Sequence, residues 1–403
     1  DTLSGIETFR FADGDIQNSK EFRVNTYTND SQSYPSITAL TDGGFVVTWM
    51  SWDYRDGSIR GIYAQRYDSN GAAHGSEFEV NTYTYNNQLR PLITALNDGG
   101  FVVTWMSRDG SGTGISAQRY DSNGAAQGSE FLVNTTTNDH QSDPSIAALN
   151  DGSFVVTWTS NGQDGSGSGI YAQRYDSNEA AHGSEFQVNT YTTDWQESPS
   201  ITALADGGFV VTWSSGTQDG SGWGIYAQRY DSNGAAQGSE FRVNTYTTDW
   251  QFDPSITALI DGGFVVTWTS EGQDGSGYGI YAQRYDSNGA AQGSEFQVNT
   301  YTTDWQFDPS ITALIDGGFV VTWSSADQDG SSWGIYAQRY DANGESIGGL
   351  TLTGSANDDH LNVSASTATP AKLWGMAGND VLQGGIGNDI LDGGAGNDTL
   401  IGW

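Results

Sequence analysis

The stretch Asp261-Gly262-Gly263-Phe264-Val265-Val266-Thr267-Trp268, followed by Gln273-Asp274-Gly275-Ser276-Gly277 and Gly279-Ile280-Tyr281-Ala282-Gln283-Arg284-Tyr285, decides the fold. Asp-Gly-Gly is a hairpin turn, because glycine tolerates the positive φ such turns need. Phe264–Trp268 is β-branched and aromatic, hence strand. Working outward, Ser255–Leu259 after Pro254 is a strand that runs into the same turn. Gly279–Tyr285 is a third strand, and Asp286-Ser287-Asn288-Gly289 turns the chain towards a fourth. No segment carries a capped 3.6-residue period, so no helix is expected.

This unit recurs. Its Glu-Phe pair stands at Glu21-Phe22, Glu77-Phe78, Glu130-Phe131, Glu185-Phe186, Glu240-Phe241 and Glu295-Phe296, with Phe-to-Phe spacings of 56, 53, 55, 55 and 55 residues. A period of this length marks a stacked or circular repeat whose units need neighbours to bury their apolar faces. Six four-stranded units make either six small sandwiches or a six-bladed β-propeller. Phe264–Trp268 is apolar on both faces, as a blade between two blades must be. The repeat is also out of phase at its ends: Phe22-Arg23-Val24-Asn25 precedes the first unit, and the last unit lacks this strand. The expectation is an all-β chain: a propeller over 21–345 with residues 22–25 closing the last blade, flanked by separate segments over 1–20 and 346–403. The prolines Pro35, Pro91, Pro144, Pro199, Pro254 and Pro309 are read as the start of each innermost strand.

Composition limits partners. The 403 residues hold 49 acidic against 15 basic side chains, a net charge of −34, and no cysteine. Such a surface repels nucleic acid and anionic membranes and favours divalent cations or neutral ligands. No disulfide or thiolate metal site is available, and no apolar run is long enough to span a bilayer. The N-terminus does not read as a signal peptide, and both ends read as the interior of a longer protein.

Near the C-terminus the chain reads Gly375-Met376-Ala377-Gly378-Asn379-Asp380, Gly384-Gly385-Ile386-Gly387-Asn388-Asp389 and Gly393-Gly394-Ala395-Gly396-Asn397-Asp398, with aspartates nine residues apart. Glycine-rich turns expose carbonyls and aspartate adds carboxylate, the oxygen set that Ca²⁺ takes. This resembles the RTX, or haemolysin-type calcium-binding, family of bacterial exoproteins. The resemblance implies the tail of an RTX-like β-roll over 1–20, a calcium-binding β-roll over 346–403, and Ca²⁺ held by Gly378, Asp380, Gly385, Gly387, Asp389, Gly394, Gly396 and Asp398. Turns on one edge come from alternate nonapeptides, which sets Asp380 with Asp398 and leaves Asp389 on the opposite edge, while Leu382, Leu391 and Leu400 point inward. It also implies type I export to the extracellular space or cell surface, and the central repeat is similar to tandem units of large RTX adhesins.

Two loops per unit emerge on one face. The residue before the recurrent Gln runs Ser31, Asn87, His140, Trp195, Trp250, Trp305, and the residue before Gly-Ile runs Arg60, Thr113, Ser168, Trp223, Tyr278, Trp333. Units four to six thus place Trp195, Trp223, Trp250, Tyr278, Trp305 and Trp333 on that face, beside Asp, Asn and Gln, as platforms for neutral carbohydrate. The four His residues have no repeated partner, and Glu197 is the one local glutamate that replaces a Phe of neighbouring units. The expectation is therefore an extracellular calcium-binding adhesive module that binds glycan multivalently and is not an enzyme. A passive spacer or a glycan-active enzyme is the alternative.

Overall fold

The computed structural model describes residues 8–11, 14–17, 22–52, 59–108, 112–347, 350–362, 371–384 and 389–402. Every regular element among them is a strand. Six antiparallel four-stranded sheets follow one another in chain order, each a simple meander, and together they form a six-bladed propeller. In the fifth blade the strands are Gln251–Ala258, Phe264–Glu271, Tyr278–Tyr285 and Ala291–Gln297. The second strand is buried on both faces almost throughout, as its unbroken apolar sequence requires.

Adjacent blades share cores of repeated composition. Between the fourth and fifth, Val210, Ile225, Ala227 and Val243 of one meet Phe264, Val266, Trp268, Tyr281 and Tyr285 of the next. The same set recurs at four other junctions. The tryptophans of the second strands complete these cores: Trp105, Trp158, Trp213 and Trp268 are fully buried. Each junction is also pinned by polar bonds. The Asn244 side chain accepts from Ile225 N–H within its blade at 2.7 Å, and the Glu295 carboxylate accepts from Thr245 N–H of the preceding blade at 2.6 Å.

The seam between the last and first blades is half built. Residues 22–25, expected as a strand of the last blade, have no strand pairing. They lie on the first blade as the outer strands lie on theirs: Tyr67 Oη–H donates to Val24 O at 3.2 Å, as Tyr120 does to Val80, and Phe22 meets Tyr67 at 5.2 Å between ring centres. On the other side of the seam the sixth blade ends in the two-residue strand Ser346–Ile347. Its Ile335 is 76% exposed, where Ile280 and Ile225 are fully buried.

The prolines do not begin the innermost strands. Each sits mid-strand at a register shift, between Phe252 and Ser255 in the fifth blade, because a bulge removes the ladder bond that proline cannot make. The residue before each proline is left-handed: Tyr34, Arg90, Asp143, Ser198, Asp253 and Asp308 have φ between 50° and 54°. These six residues and their prolines line a central channel of about 500 Å³.

Residues 350–402 form two parallel three-stranded sheets. Leu350–Thr353, Ala371–Trp374 and Ile390–Asp392 make one; His360–Asn362, Val381–Gln383 and Thr399–Ile401 make the other. Alternate strands share a sheet, the architecture of a parallel roll, with Leu373 and Leu382 at its core. Leu391 is partly buried there as expected, but Leu400 is half exposed, because no further strand of the described residues stacks beyond its own. At the other end, Thr8–Phe11 and Gly14–Gln17 pair antiparallel; the remainder of the expected roll tail lies outside the described residues.

Candidate functional site

In the roll, strand neighbours lie 18 residues apart, so the turns stack by alternate nonapeptides. Asp380 N–H donates to Asp398 Oδ1 at 2.9 Å, which places these two aspartates on one edge, and Ala371 N–H donates to Asp389 Oδ1 at 2.8 Å on the other. An earlier turn joins the first edge, where Asp359 N–H donates to Asp380 Oδ1 at 2.8 Å. Asp380 is buried, and its Oδ2 has no hydrogen-bond partner; Asp389 Oδ2 is likewise buried and unpartnered. Two buried carboxylate oxygens without donors are what a cation would satisfy. Gly378, Gly394 and Gly396 hold φ of 127°, 80° and 153° in these turns, a backbone that side chains rarely adopt. Gly385 and Gly387 lie outside the described residues. The donor set fits Ca²⁺: hard oxygens, no nitrogen or sulfur.

On the propeller, the fold brings the six expected aromatics onto one face and joins them into a track. The indole ring of each loop Trp lies over a glycine of the preceding blade. A Cβ on Gly222 would meet Trp250 Cδ1 at 2.3 Å, and one on Gly277 would meet Trp305 Cδ1 at 2.4 Å, so only glycine admits this contact. Trp195, Trp250, Trp305 and Trp333 nevertheless remain half exposed. Trp195, Trp223 and Trp250 line one groove. Tyr278 then meets Trp305 at 6.1 Å and Phe307 at 4.6 Å, and Phe307 meets Trp333 at 5.9 Å. The platforms are thus one continuous surface, not separate sites repeated per unit.

Between the groove and the channel lies a pocket of about 310 Å³. Its walls are Trp223, Trp250, Phe252, Tyr278 and Phe307, and its polar groups are Glu197, Asp253, Ser198 and Ser214. Phe252, Phe307 and Asp253 were not singled out from sequence. The available signal was that the two residues before each proline differ among units while their surroundings repeat. Asp253 is set by its left-handed backbone and by its N–H, which donates to Ser214 Oγ at 3.1 Å. Ser168 donates its hydroxyl proton to Glu197 Oε1 at 3.3 Å. Burial raises the Glu197 pKa above the ordinary glutamate value; the Ser168 bond opposes this, and Asp143 and Asp253 add to it. Burial likewise raises Asp253, opposed by a hydrogen bond from Ser198 and by the Arg90 charge, and reinforced by Asp308 and Asp143.

The recurrent glutamine is structural. Gln251 is fully buried, accepts from Asn244 Nδ2 at 3.0 Å and donates to Thr248 O at 2.9 Å, so it does not face a ligand. The repeated loop aspartate is a turn residue, as Ser276 N–H donating to Asp274 Oδ1 at 3.1 Å illustrates.

No curated protein matches this chain. Among solved structures, the α-L-arabinanase of Penicillium chrysogenum complexed with arabinobiose superposes with a TM-score of 0.53 at 14% identity, over 80% of this chain and 96% of that one. The GH93 α-L-arabinofuranosidase of Fusarium graminearum with arabinobiose gives 0.51 at 13% identity, over 79% and 96%. At these identities the likeness is one of fold. The expectation that the chain is not an enzyme is overturned, because solved propellers of this fold include an arabinanase and an arabinofuranosidase, and the pocket here holds two carboxyl groups that lie far apart in sequence. Residues 372–402 match the family model of the RTX calcium-binding nonapeptide repeat. The chain thus joins a six-bladed β-propeller to a roll that carries RTX calcium-binding repeats.

Proposed function

We propose that this is an extracellular, calcium-binding protein whose propeller engages neutral carbohydrate on the aromatic face of blades four to six. The observation that carries the reading is the pocket formed by Trp223, Trp250 and Tyr278 with Glu197 and Asp253, open to the groove that Trp195 flanks. Flat rings accept the apolar face of a sugar, and a few convergent polar groups bind its hydroxyls. A net charge of −34 disfavours polyanionic glycans. The fold likeness to arabinan-cleaving enzymes supports carbohydrate as the ligand class. Extracellular location is supported by the RTX repeats, whose Ca²⁺ demand suits calcium-rich surroundings.

The test is a neutral-glycan array probed with the intact chain in millimolar-range calcium, beside a Trp250→Ala/Tyr278→Ala variant. Binding by the intact chain and its loss in the variant is the expected result. No signal from the intact chain, or equal binding by the variant, refutes the reading.

A further inference from the structure

We infer that Glu197 and Asp253 are the acid and the base of a glycoside-hydrolysing site. This rests on the carbohydrate reading above and adds a reaction to it.

The argument starts from a departure in a nearly exact repeat. The position two residues before the channel proline holds Ser33, Leu89, Ser142, Glu197, Phe252 and Phe307. In the sixth blade it is Phe307, set against Tyr278 of the preceding blade, and in the fifth it is Phe252, which lines a pocket with Trp223 of the preceding blade. At the junction of the third and fourth blades both partners change together. The aromatic becomes the buried Ser168 and the Phe becomes Glu197, joined by a hydrogen bond. An apolar contact has been exchanged for a half-buried carboxyl group at the edge of an aromatic pocket.

That exchange has no evident structural benefit. No Lys or Arg lines the pocket, and neither Glu197 nor Asp253 forms an ion pair there. Arg90, the cation of the channel, is ion-paired with Asp143 and reaches Asp253 only as the last and smallest of the influences on its pKa. Two acids sharing an apolar site do not both ionise readily, so one keeps its proton when the other has lost it. Glu197 has the longer side chain, the higher ordinary pKa and a hydroxyl partner, which suits it to the proton donor. Asp253 is fixed by its backbone and by Ser198 and Ser214, which suits a carboxylate base.

The reaction is a hydrolysis. Glu197 gives its proton to the glycosidic oxygen, the bond from that oxygen to the anomeric carbon breaks, and its electron pair stays on the leaving oxygen. A water oxygen bonds to the anomeric carbon, and the proton it loses passes to Asp253. Exchange with solvent returns both carboxyl groups to their starting state. No oxidant, metal or further co-reactant is needed. The substrate class is a neutral glycan with one residue seated among the pocket rings and its neighbours along Trp195 or Trp305.

The experiment uses the full chain with calcium and a panel of neutral polysaccharides and neutral 4-nitrophenyl glycosides. Reducing-end or nitrophenolate release is read beside binding by tryptophan fluorescence. Hydrolysis of at least one probe is expected. Glu197→Gln and Asp253→Asn should each lose roughly 10²–10⁴-fold in rate while still binding the probe, and Trp250→Ala/Tyr278→Ala should lose both. A wild type that binds a glycan but releases no product, or a Glu197→Gln variant as active as wild type, overturns the acid–base assignment and leaves carbohydrate binding standing. Absence of any binding overturns both.

Discussion

Ile335→Ala decides whether the ring closes. In the fifth blade the equivalent Ile280 is fully buried, within a core that includes Val298 and Phe319. Truncating it should cost about 2–5 kcal/mol, the usual range for a buried aliphatic cut back to alanine. Ile335 occupies the same place in the sixth blade but is 76% exposed; at that exposure the substitution would cost no more than about 0.5 kcal/mol. Closure predicts otherwise. Phe22 and Val24 already sit on Tyr67 as their counterparts sit on the next blade, so bringing the sixth blade against them would cover Ile335 and present Asn25 to its N–H. We therefore expect Ile335→Ala to destabilise the chain to a degree comparable with Ile280→Ala. The extra cost should vanish in a chain that lacks residues 1–26, whose deletion should itself destabilise the ring. Guanidinium titrations of the single, truncated and combined variants, followed by circular dichroism, supply the cycle. An Ile335→Ala variant within about 0.5 kcal/mol of wild type, alongside a costly Ile280→Ala, would refute closure by residues 22–25.

Chelation should loosen residues 350–402 and leave the propeller folded, since the unpartnered Asp380 and Asp389 oxygens lose their cation; an unchanged proteolytic pattern beyond residue 350 counts against it. Glu197→Gln should leave stability unchanged at strongly acid pH and raise it towards neutrality, as thermal melts across pH would show. The folded pKa of Glu197 lies above its unfolded value. Between the two values the folded state holds a proton that the unfolded state has released, so wild-type stability falls as pH rises through that window. Glutamine has no such loss, and a variant that is less stable than wild type at neutral pH contradicts the assignment.

Much of the fold is legible in the sequence because it repeats. Asp-Gly-Gly turns and all-apolar second strands lead directly to blades and their order. The nonapeptides lead to the roll for the same reason, and the resemblance they carry implied the pairing of Asp380 with Asp398. What is lost is what depends on curvature. Glu197 and Asp253 are 56 positions apart and occupy adjacent slots of different units; only the ring turns them into one pocket. The proline is misplaced because a bulge of one extra residue leaves no mark in hydrophobic pattern. Gln251 looks like a ligand in a polar loop, and its full burial follows from Asn244 and Thr248, which lie on two different segments.

The strain around the channel points the same way as the pocket. A left-handed backbone costs an L-residue about 1–2 kcal/mol relative to its ordinary conformations, and glycine avoids that cost. In the turn between the first and second strands of each blade this chain uses glycine for the purpose, at Gly43, Gly99, Gly152, Gly207, Gly262 and Gly317. At the six channel positions it never does: Tyr34, Arg90, Asp143, Ser198, Asp253 and Asp308 all keep side chains in the same region of φ. The six are of four kinds, Asp at three positions and Tyr, Arg and Ser at one each, although the prolines that follow them do not vary. A purely structural bulge would take the cheapest residue and repeat it. Strain retained at six sites without glycine at any, and with unlike side chains around the ring, fits a scaffold whose central side chains serve an asymmetric task. That asymmetry is greatest where Ser168 faces Glu197 and Asp253 stands beside it, so the chemistry of this propeller should be sought there before anywhere else on its surface.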